Sequence, residues 1–360
     1  MIVGVLKEVL DGENRVAVTP QTVKDLLKSG LEVHIQAGAG ESSFISDSDY
    51  ENSGARIIAD ASSILSNSDL TIKVATATLD EIDQLKNGSA YISFIQTTRE
   101  TEAVKKLTQK NISAFSMHLI PRTTLAQSMD ALSSQANVAG YKAVITGAMH
   151  LPVYMPLLMT AAGTIPAAKI LVVGAGVDGL QAIATAKRMG GIVFATDVRM
   201  ASKEQVESLG GKFLTVEGAE NLETEGGYAK EASDDFKKKQ EDLLSETLKK
   251  IDIVICTALI PGKKAPVIIK EDMIDNMQSG SVIYDLAAIQ GGNTAFTKAD
   301  EIIEKKGVKI MGESNILNRL PISASSLYAK NMFNFIAVSY THLQAHETVL
   351  DLVCRLLLEK

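Results

Sequence analysis

Cysteine is nearly absent from this 360-residue chain. Its two thiols, Cys256 and Cys354, provide no disulfide framework and no cysteine zinc site, which suits a reducing compartment. Positive charge is also short. With 43 acidic against 36 basic residues the formal net charge is −7, the wrong sign for non-specific nucleic-acid binding, which needs a basic stripe. The apolar run at residues 1–8 has no basic region before it and is too short for a signal peptide. The most apolar region, 151–173, is broken by Pro152, Pro156, Gly163, Pro166 and Lys169, so a soluble chain without direct membrane insertion is expected. No internal repeat or low-complexity tract stands out. What is present is 46% hydrophobic content, enough for more than one core, and a length that implies about two or three domains.

Along the first 120 residues, β-rich runs at 2–7, 32–37, 70–75, 90–95 and 112–119 alternate with helix-like stretches such as 20–29 and 100–109. That alternation implies βαβ units and a mostly parallel sheet. Thr124 followed by Gln127 resembles a capping box and predicts a helix over 124–149 that bridges two domains. A second series follows, with strands at 169–173, 191–196, 212–216, 252–257, 281–285 and 308–311. Six strands with helices between most of them predict a doubly wound sheet. The connection over 217–250 is unusually long and reads as a lid or a solvated excursion. A helix at 323–338 is expected to pack back on the first domain. The predicted architecture is therefore α/β, with two Rossmann-like parallel-sheet domains: 1–125 plus 323–337, a bridge at 126–149, and 150–322.

The strongest motif is Lys169-Ile-Leu-Val-Val-Gly174-Ala175-Gly176-Val177-Asp178-Gly179. Gly174, Gly176 and Gly179 form GxGxxG directly after an apolar strand and before a helical run. The first glycine permits a tight turn and the second lets a pyrophosphate approach the backbone. The third allows close helix–strand packing, and the helix N-terminus favours the phosphate charge. Asp197 ends the next strand 18 residues after Gly179, where a carboxylate accepts the ribose hydroxyls and repels the 2′-phosphate of NADP. NAD(H) is the cofactor this predicts, with Asp197 and Val198 at its ribose. Arg199 reads as a salt-bridging arginine at the edge of that site.

A second constellation runs Pro121-Arg122-Thr-Thr-Leu-Ala-Gln127-Ser-Met-Asp130-Ala-Leu-Ser133-Ser134-Gln135-Ala-Asn137-Val-Ala-Gly140-Tyr141. On one continuous helix, Gln127, Asp130, Ser134 and Asn137 share a face, with Ser133 at its margin. Such a polar stripe is either a cleft wall or an ordinary solvated face.

These residues resemble the signature of the NAD(H)-binding domain I, the alpha subunit, of proton-translocating NAD(P) transhydrogenases. Further matching segments are Met159-Thr-Ala-Ala-Gly-Thr-Ile-Pro166, Ala195-Thr-Asp197-Val-Arg199, Gly226-Gly-Tyr228-Ala-Lys230, Thr257-Ala-Leu-Ile-Pro-Gly262 and Asp285-Leu-Ala-Ala-Ile-Gln-Gly-Gly-Asn293. Together they cover residues 1 to about 337. The resemblance implies that Arg122, Gln127, Asp130 and Ser133 surround the nicotinamide end of NADH. It also implies that Thr257, Ala258 and Leu259 touch the cofactor and that Tyr228 sits on a mobile loop over it. The activity implied is Si/Re-specific hydride transfer from NADH to NADP⁺. The NADP(H) is held on a partner component, and membrane-spanning components couple the transfer to proton movement. The implied chain is a homodimer, cytoplasmic and peripheral to the inner membrane.

Alanine dehydrogenase shares the two-domain plan. Arg15, in Glu13-Asn-Arg-Val-Ala-Val-Thr-Pro20, and Lys73 match its substrate-carboxylate residues, but its catalytic histidine aligns near Phe94 and its catalytic aspartate with Ile289. Oxidative deamination needs a proton-transfer group at the carbinolamine. Hydride exchange between two nicotinamides moves no proton at the reacting carbons and relies on position. The transhydrogenase reading is preferred on that ground, and a catalytically silent NAD-sensing module is a third possibility. Cys256 reads as an inert core thiol, and His118 and His150 as structural residues without partners. His342 and His346 have helical metal-pair spacing but no third ligand, so no metal site is expected. The run 237–239 reads as a solvated helix start. After Ala337 the family pattern stops. Residues 338–360 resemble translated adapter read-through and are given no function.

Overall fold

The computed structural model describes residues 1–216, 234–260 and 263–344. Tyr228, His346 and the Pro261-Gly262 pair lie outside the described residues, as does the tail beyond Gln344. The chain forms two compact units: Met1–Gln135 together with the chain from Leu317, and Ala136–Ile316.

The first unit is built on strands β1 (Ile2–Val5), β2 (Glu32–Gln36), β3 (Arg56–Ile58), β4 (Leu70–Ala75), β5 (Ala90–Phe94) and β6 (Ser113–Ser116). They pair in the order β3-β2-β1-β4-β5-β6, every neighbour parallel. Val3, Val5, Val33, Ile35, Ile72 and Val74 are buried, as expected for a parallel sheet covered on both faces. The helix Pro20–Lys28 starts where its sequence dictates. The Thr19 hydroxyl accepts from the Thr22 amide at 3.4 Å, the Thr22 hydroxyl accepts from the Thr19 amide at 2.8 Å, and Pro20 takes the first helical position. The edge strand β3 is not among the strands expected from sequence; at three residues it has no periodicity to read.

In the second unit an antiparallel hairpin of β7 (Leu158–Thr160) and β8 (Gly163–Ile165) precedes the main sheet. The sheet strands are β9 (Lys169–Val173), β10 (Ile192–Thr196), β11 (Lys212–Phe213), β12 (Ile253–Cys256), β13 (Val282–Asp285), β14 (Ile302–Lys305) and β15 (Val308–Met311). Their order is β11-β10-β9-β12-β13-β15-β14. Chain order thus reverses between β9 and β12, the doubly wound arrangement. The antiparallel edge strand β14 is likewise absent from the expected set. It joins β15 through a tight turn at Lys306 and Gly307, both with positive φ.

The bridge differs from expectation. Residues Thr124–Met129 form a 3-10 turn, and the α-helix runs Ala131–His150. The capping side chain is not Thr124 but Asp130: its Oδ1 accepts from the Ser133 amide at 2.9 Å and its Oδ2 from the Ser133 hydroxyl at 2.5 Å. An aspartate three residues before a free amide is among the best N-caps, so it fixes the start about two turns later than the Thr124 pattern implies. Gln127 and Asp130 are therefore not on the helix, and the continuous polar stripe through Gln127, Asp130, Ser134 and Asn137 does not exist. Among the described residues no helix is long and apolar enough to cross a membrane.

Candidate functional site

The site in the second unit grows from β9. Its run of apolar side chains ends at Val173, and Gly174 turns the chain at φ +99°, a conformation L side chains rarely adopt. The Gly174 amide donates to the Thr196 carbonyl at 2.9 Å, tying the turn to the end of β10. A Cβ on Gly179 would stand 2.0 Å from the Gly174 carbonyl oxygen, so the helix Val177–Arg188 can sit this close to the turn only with glycine there. Gly176 caps that helix in an extended conformation, leaving first-turn amides directed at the turn. Gly140 is a fourth close approach. Its Cβ would meet the Asp178 carbonyl oxygen at 2.1 Å, so the helix Ala131–His150 packs backbone to backbone against this turn. The geometry of Gly174 and Gly179 is what a pyrophosphate-binding turn requires.

Asp197 follows β10, with both carboxylate oxygens occupied. Oδ2 accepts from the Ala175 amide at 2.7 Å and from Arg199 Nη2 at 2.8 Å; Oδ1 accepts from the Arg199 amide at 2.8 Å and Arg199 Nε at 2.9 Å. Burial pushes this carboxyl up, but the Arg199 and Ala175 bonds outweigh it and hold the pKa below the ordinary aspartate value. The group is ionised and built to accept donors. Beside it a depression is lined by Val198, Met200, Leu214, Leu243 and Leu244. The leucines of this wall escaped sequence reasoning, because Leu243 and Leu244 belong to a helix, Asp234–Leu248, far along the chain. An apolar slot next to a hydroxyl-accepting carboxylate suits a purine on its ribose.

On the other side of β9, the loop after β12 comes against the same turn. The Thr257 hydroxyl donates to the Gly174 carbonyl at 3.0 Å, and the Ala258 amide and carbonyl are both held by Asn293. Leu259 is exposed. The residues Gly174, Ala175, Gly176, Val177, Asp178, Gly179, Asp197, Val198, Arg199, Thr257, Ala258 and Leu259 thus cluster at the C-terminal ends of β9, β10 and β12 in the second unit.

In the first unit, Asp130 and Ser133 come together through the helix cap. Arg122 and Gln127 are exposed on the segment before it. Ser134 has a structural task. It donates to Asn331 Oδ1 at 2.7 Å, while Asn331 and Asn334 both donate to the Ser128 carbonyl at 2.9 Å, so the helix Pro321–Gln344 anchors this segment.

Arg15 and Lys73 are not open to a substrate carboxylate. Glu13 holds Arg15 through Nε at 2.8 Å and Nη2 at 2.7 Å, and Gln135 Oε1 accepts from its Nη1 at 3.0 Å. Glu81 takes Lys73 Nζ with both oxygens at 2.9 Å, and buried Glu8 stands 4.0 Å away. Burial raises Glu8 to a pKa of about 7, against the pull of Lys73. Contrary to the expectation of no partner, the His118 ring lies 5.0 Å from that of Phe94, and burial lowers its pKa. Ile289 is 54% exposed. Cys256 is fully buried, and burial, with Asp285 nearby, raises its thiol well above the usual value. Among the described residues no three His, Cys, Asp or Glu side chains converge to hold a metal ion.

Fold and turn together define a two-domain α/β protein with a dinucleotide-type glycine turn. Residues 4–139 match the family description "Alanine dehydrogenase/PNT, N-terminal domain", and residues 143–352 match "Alanine dehydrogenase/PNT, C-terminal domain". The chain belongs to this family. The first of the separately encoded pieces of NAD(P) transhydrogenase subunit alpha from Rhodospirillum rubrum is 48% identical over 343 residues, 93% of this chain and 89% of that protein. Alanine dehydrogenase of Methanococcus maripaludis is 29% identical over 296 residues, 81% of this chain and 74% of that protein. The crystal structure of transhydrogenase from Sinorhizobium meliloti superposes with a TM-score of 0.85 at 43% identity, covering 94% of each chain.

Proposed function

We propose that this chain is the NAD(H)-binding component of a proton-translocating NAD(P)⁺ transhydrogenase, passing a hydride from NADH to NADP⁺ held on a partner component. The observation that carries the reading is Asp197, an ionised carboxylate closing a glycine turn in a chain 48% identical to a transhydrogenase alpha subunit. The residues fit NAD(H). Gly174 and Gly179 leave room for a pyrophosphate that any Cβ would fill, and Asp197 discriminates against a 2′-phosphate. NADH, when bound, supplies the hydride. The protein's own work is to bind, orient and exclude water, because no proton moves at the reacting carbons. Asp130 and Ser133 would orient the carboxamide of the nicotinamide, with Arg122 and Gln127 contributing from the preceding segment. Tyr228, outside the described residues, keeps its role as a lid residue by resemblance alone.

The alanine dehydrogenase alternative is disfavoured by charge. A substrate carboxylate at Arg15 and Lys73 would have to displace Glu13 and Glu81, and buried charge pairs are costly to break. The homodimer reading is supported by an apolar surface on and before the β7–β8 hairpin, where Leu157 and Met159 are exposed; surfaces of this kind mark association sites. A cytoplasmic position, peripheral to the inner membrane beside membrane-spanning partners, follows from the proposed assembly. The test is single-turnover transfer from NADH to NADP⁺ with and without the NADP-binding component, alongside NAD⁺ reduction by L-alanine. Transfer only with the partner is expected. Robust L-alanine oxidation would transfer the chain to the dehydrogenase branch, and no transfer at all would leave a silent NAD-sensing module.

A further inference from the structure

We propose that Asn293, itself held by Asp285, is a positioning residue that sets the Ala258 peptide at the nicotinamide end of the cofactor site. The proposal rests on the NAD(H) reading above. The Asn293 side chain is fully buried and saturated. Its Oδ1 accepts from the Ala258 amide at 3.0 Å, and its Nδ2 donates to the Ala258 carbonyl at 2.8 Å and the Pro266 carbonyl at 2.9 Å. One carboxamide thus pairs with both polar groups of a loop residue 35 positions away, as a neighbouring strand would, and prevents that peptide from flipping.

Asp285 fixes the Asn293 backbone. It ends β13 and is fully buried, with Oδ2 accepting from the Asn293 amide and the Thr297 hydroxyl, both at 2.6 Å, and Oδ1 from the Ala287 amide at 2.9 Å. Gly291 and Gly292 close the turn between them at φ +99° and +79°. A Cβ on Gly292 would lie 2.9 Å from Asp285 Oδ2, so the carboxylate is wrapped by a turn only glycine can make. Burial keeps the Asp285 pKa above its ordinary value although four bonds to Thr297, Asn293, Ala287 and Thr294 pull it down. A buried carboxylate is an expensive way to hold a surface loop; its use here indicates a loop whose geometry matters.

Sheet order gives the loop its place. Asp197 follows β10 on one side of β9, and Ala258 follows β12 on the other, so the point of reversal lies between them. A dinucleotide crosses that point, one mononucleotide half to each side. With the adenosine at Asp197, the nicotinamide half falls on the Ala258 side. Ala258 also abuts the glycine turn: a Cβ on Gly174 would stand 3.3 Å from its amide nitrogen.

The test uses the full chain, with Asn293→Ala and Asn293→Asp set against Ser281→Ala. Ser281 loses a buried bond of 3.0 Å to the Ile251 carbonyl at the opposite, N-terminal end of the strands, so it controls for lost stability alone. Three quantities are read: amide exchange over residues 257–260, NADH affinity by calorimetry, and single-turnover transfer to the NADP-binding component. Asn293→Ala should speed exchange at 257–260. Transfer should slow by about a hundred-fold, the cost of an ångström-scale misplacement, while affinity falls by a smaller factor. Ser281→Ala should leave all three near normal. Asn293→Asp keeps the shape and the acceptor but donates only when protonated, so its transfer should recover on acidification. If Asn293→Ala does not fold, that pH profile carries the test, and a flat one overturns the proposal. A folded Asn293→Ala that behaves like Ser281→Ala overturns the positioning role alone. Failure of the unmodified chain to bind NADH overturns the cofactor reading and this proposal with it.

Discussion

Replacing Asp197 by alanine perturbs a carboxylate whose acceptor capacity is already full. An ionised carboxylate offers about four lone-pair sites, and four N–H groups occupy them, two from the backbone and two from the Arg199 guanidinium. The backbone donors are fixed by the turn. A ribose diol therefore reaches Asp197 only by displacing the guanidinium, and binding exchanges two charge-assisted bonds for two others. Each bond to a charged group is worth about 1.5–3 kcal/mol. The partly exposed ion pair that is given up, with Arg199 at 22% and Asp197 at 7% side-chain exposure, offsets roughly 1 kcal/mol of that gain. Asp197→Ala should thus weaken NADH roughly ten-fold or somewhat more, and it should narrow the preference for NADH over NADPH by removing the repulsion of the 2′-phosphate. Arg199→Ala removes the competitor and should tighten NADH by up to about five-fold. Calorimetric titration with both cofactors at one fixed salt concentration measures all of this. Equal affinity of the unmodified protein for NADH and NADPH would refute the discrimination argument. A loss in Arg199→Ala as large as in Asp197→Ala would show that the guanidinium holds the cofactor rather than competing with it.

Three further predictions concern other regions of the molecule. Glu8 has its folded pKa raised from 4.5 to about 7, so the native state binds the extra proton between those values. Its contribution is fully present below pH 4.5 and is lost as pH rises through 7, a change of about 3 kcal/mol. Unfolding midpoints should show the native protein losing that much relative to Glu8→Gln across this window; parallel pH profiles would refute the assignment. Arg122→Ala and Asp130→Asn should slow partner-dependent transfer by about a hundred-fold with a smaller fall in NADH affinity. Asparagine is the right replacement at 130, since it caps the helix almost as well; near-normal transfer in both variants would mean a solvated surface and no site. Met159→Asp on the exposed hairpin should shift sedimentation from dimer to monomer, and an unchanged oligomeric state would place association elsewhere.

The sequence by itself determined the features whose cause is local. Runs such as Lys169-Ile-Leu-Val-Val became buried parallel strands, because an unbroken apolar segment can be satisfied only by cover on both faces. Gly174 and Gly179 marked the turn, because their backbone conformation and clearance exclude any side chain. Asp197 was legible from its spacing, and the resemblance of scattered motifs pointed to the family. Tertiary structure alone decided which partner each polar group takes. The Asp130 cap displaced the helix start that the Thr124 pattern suggested, since two capping residues compete and packing chooses between them. Arg199 folded onto Asp197, Glu13 and Glu81 claimed Arg15 and Lys73, and Asn293 reached Ala258 across 35 residues. Hydrophobic periodicity and glycine conformation are written over a few neighbouring positions and can be read one segment at a time. Hydrogen-bond partners and neutralised charges depend on which distant segments the sheet order brings to the same strand ends, so they exist only once the fold is complete.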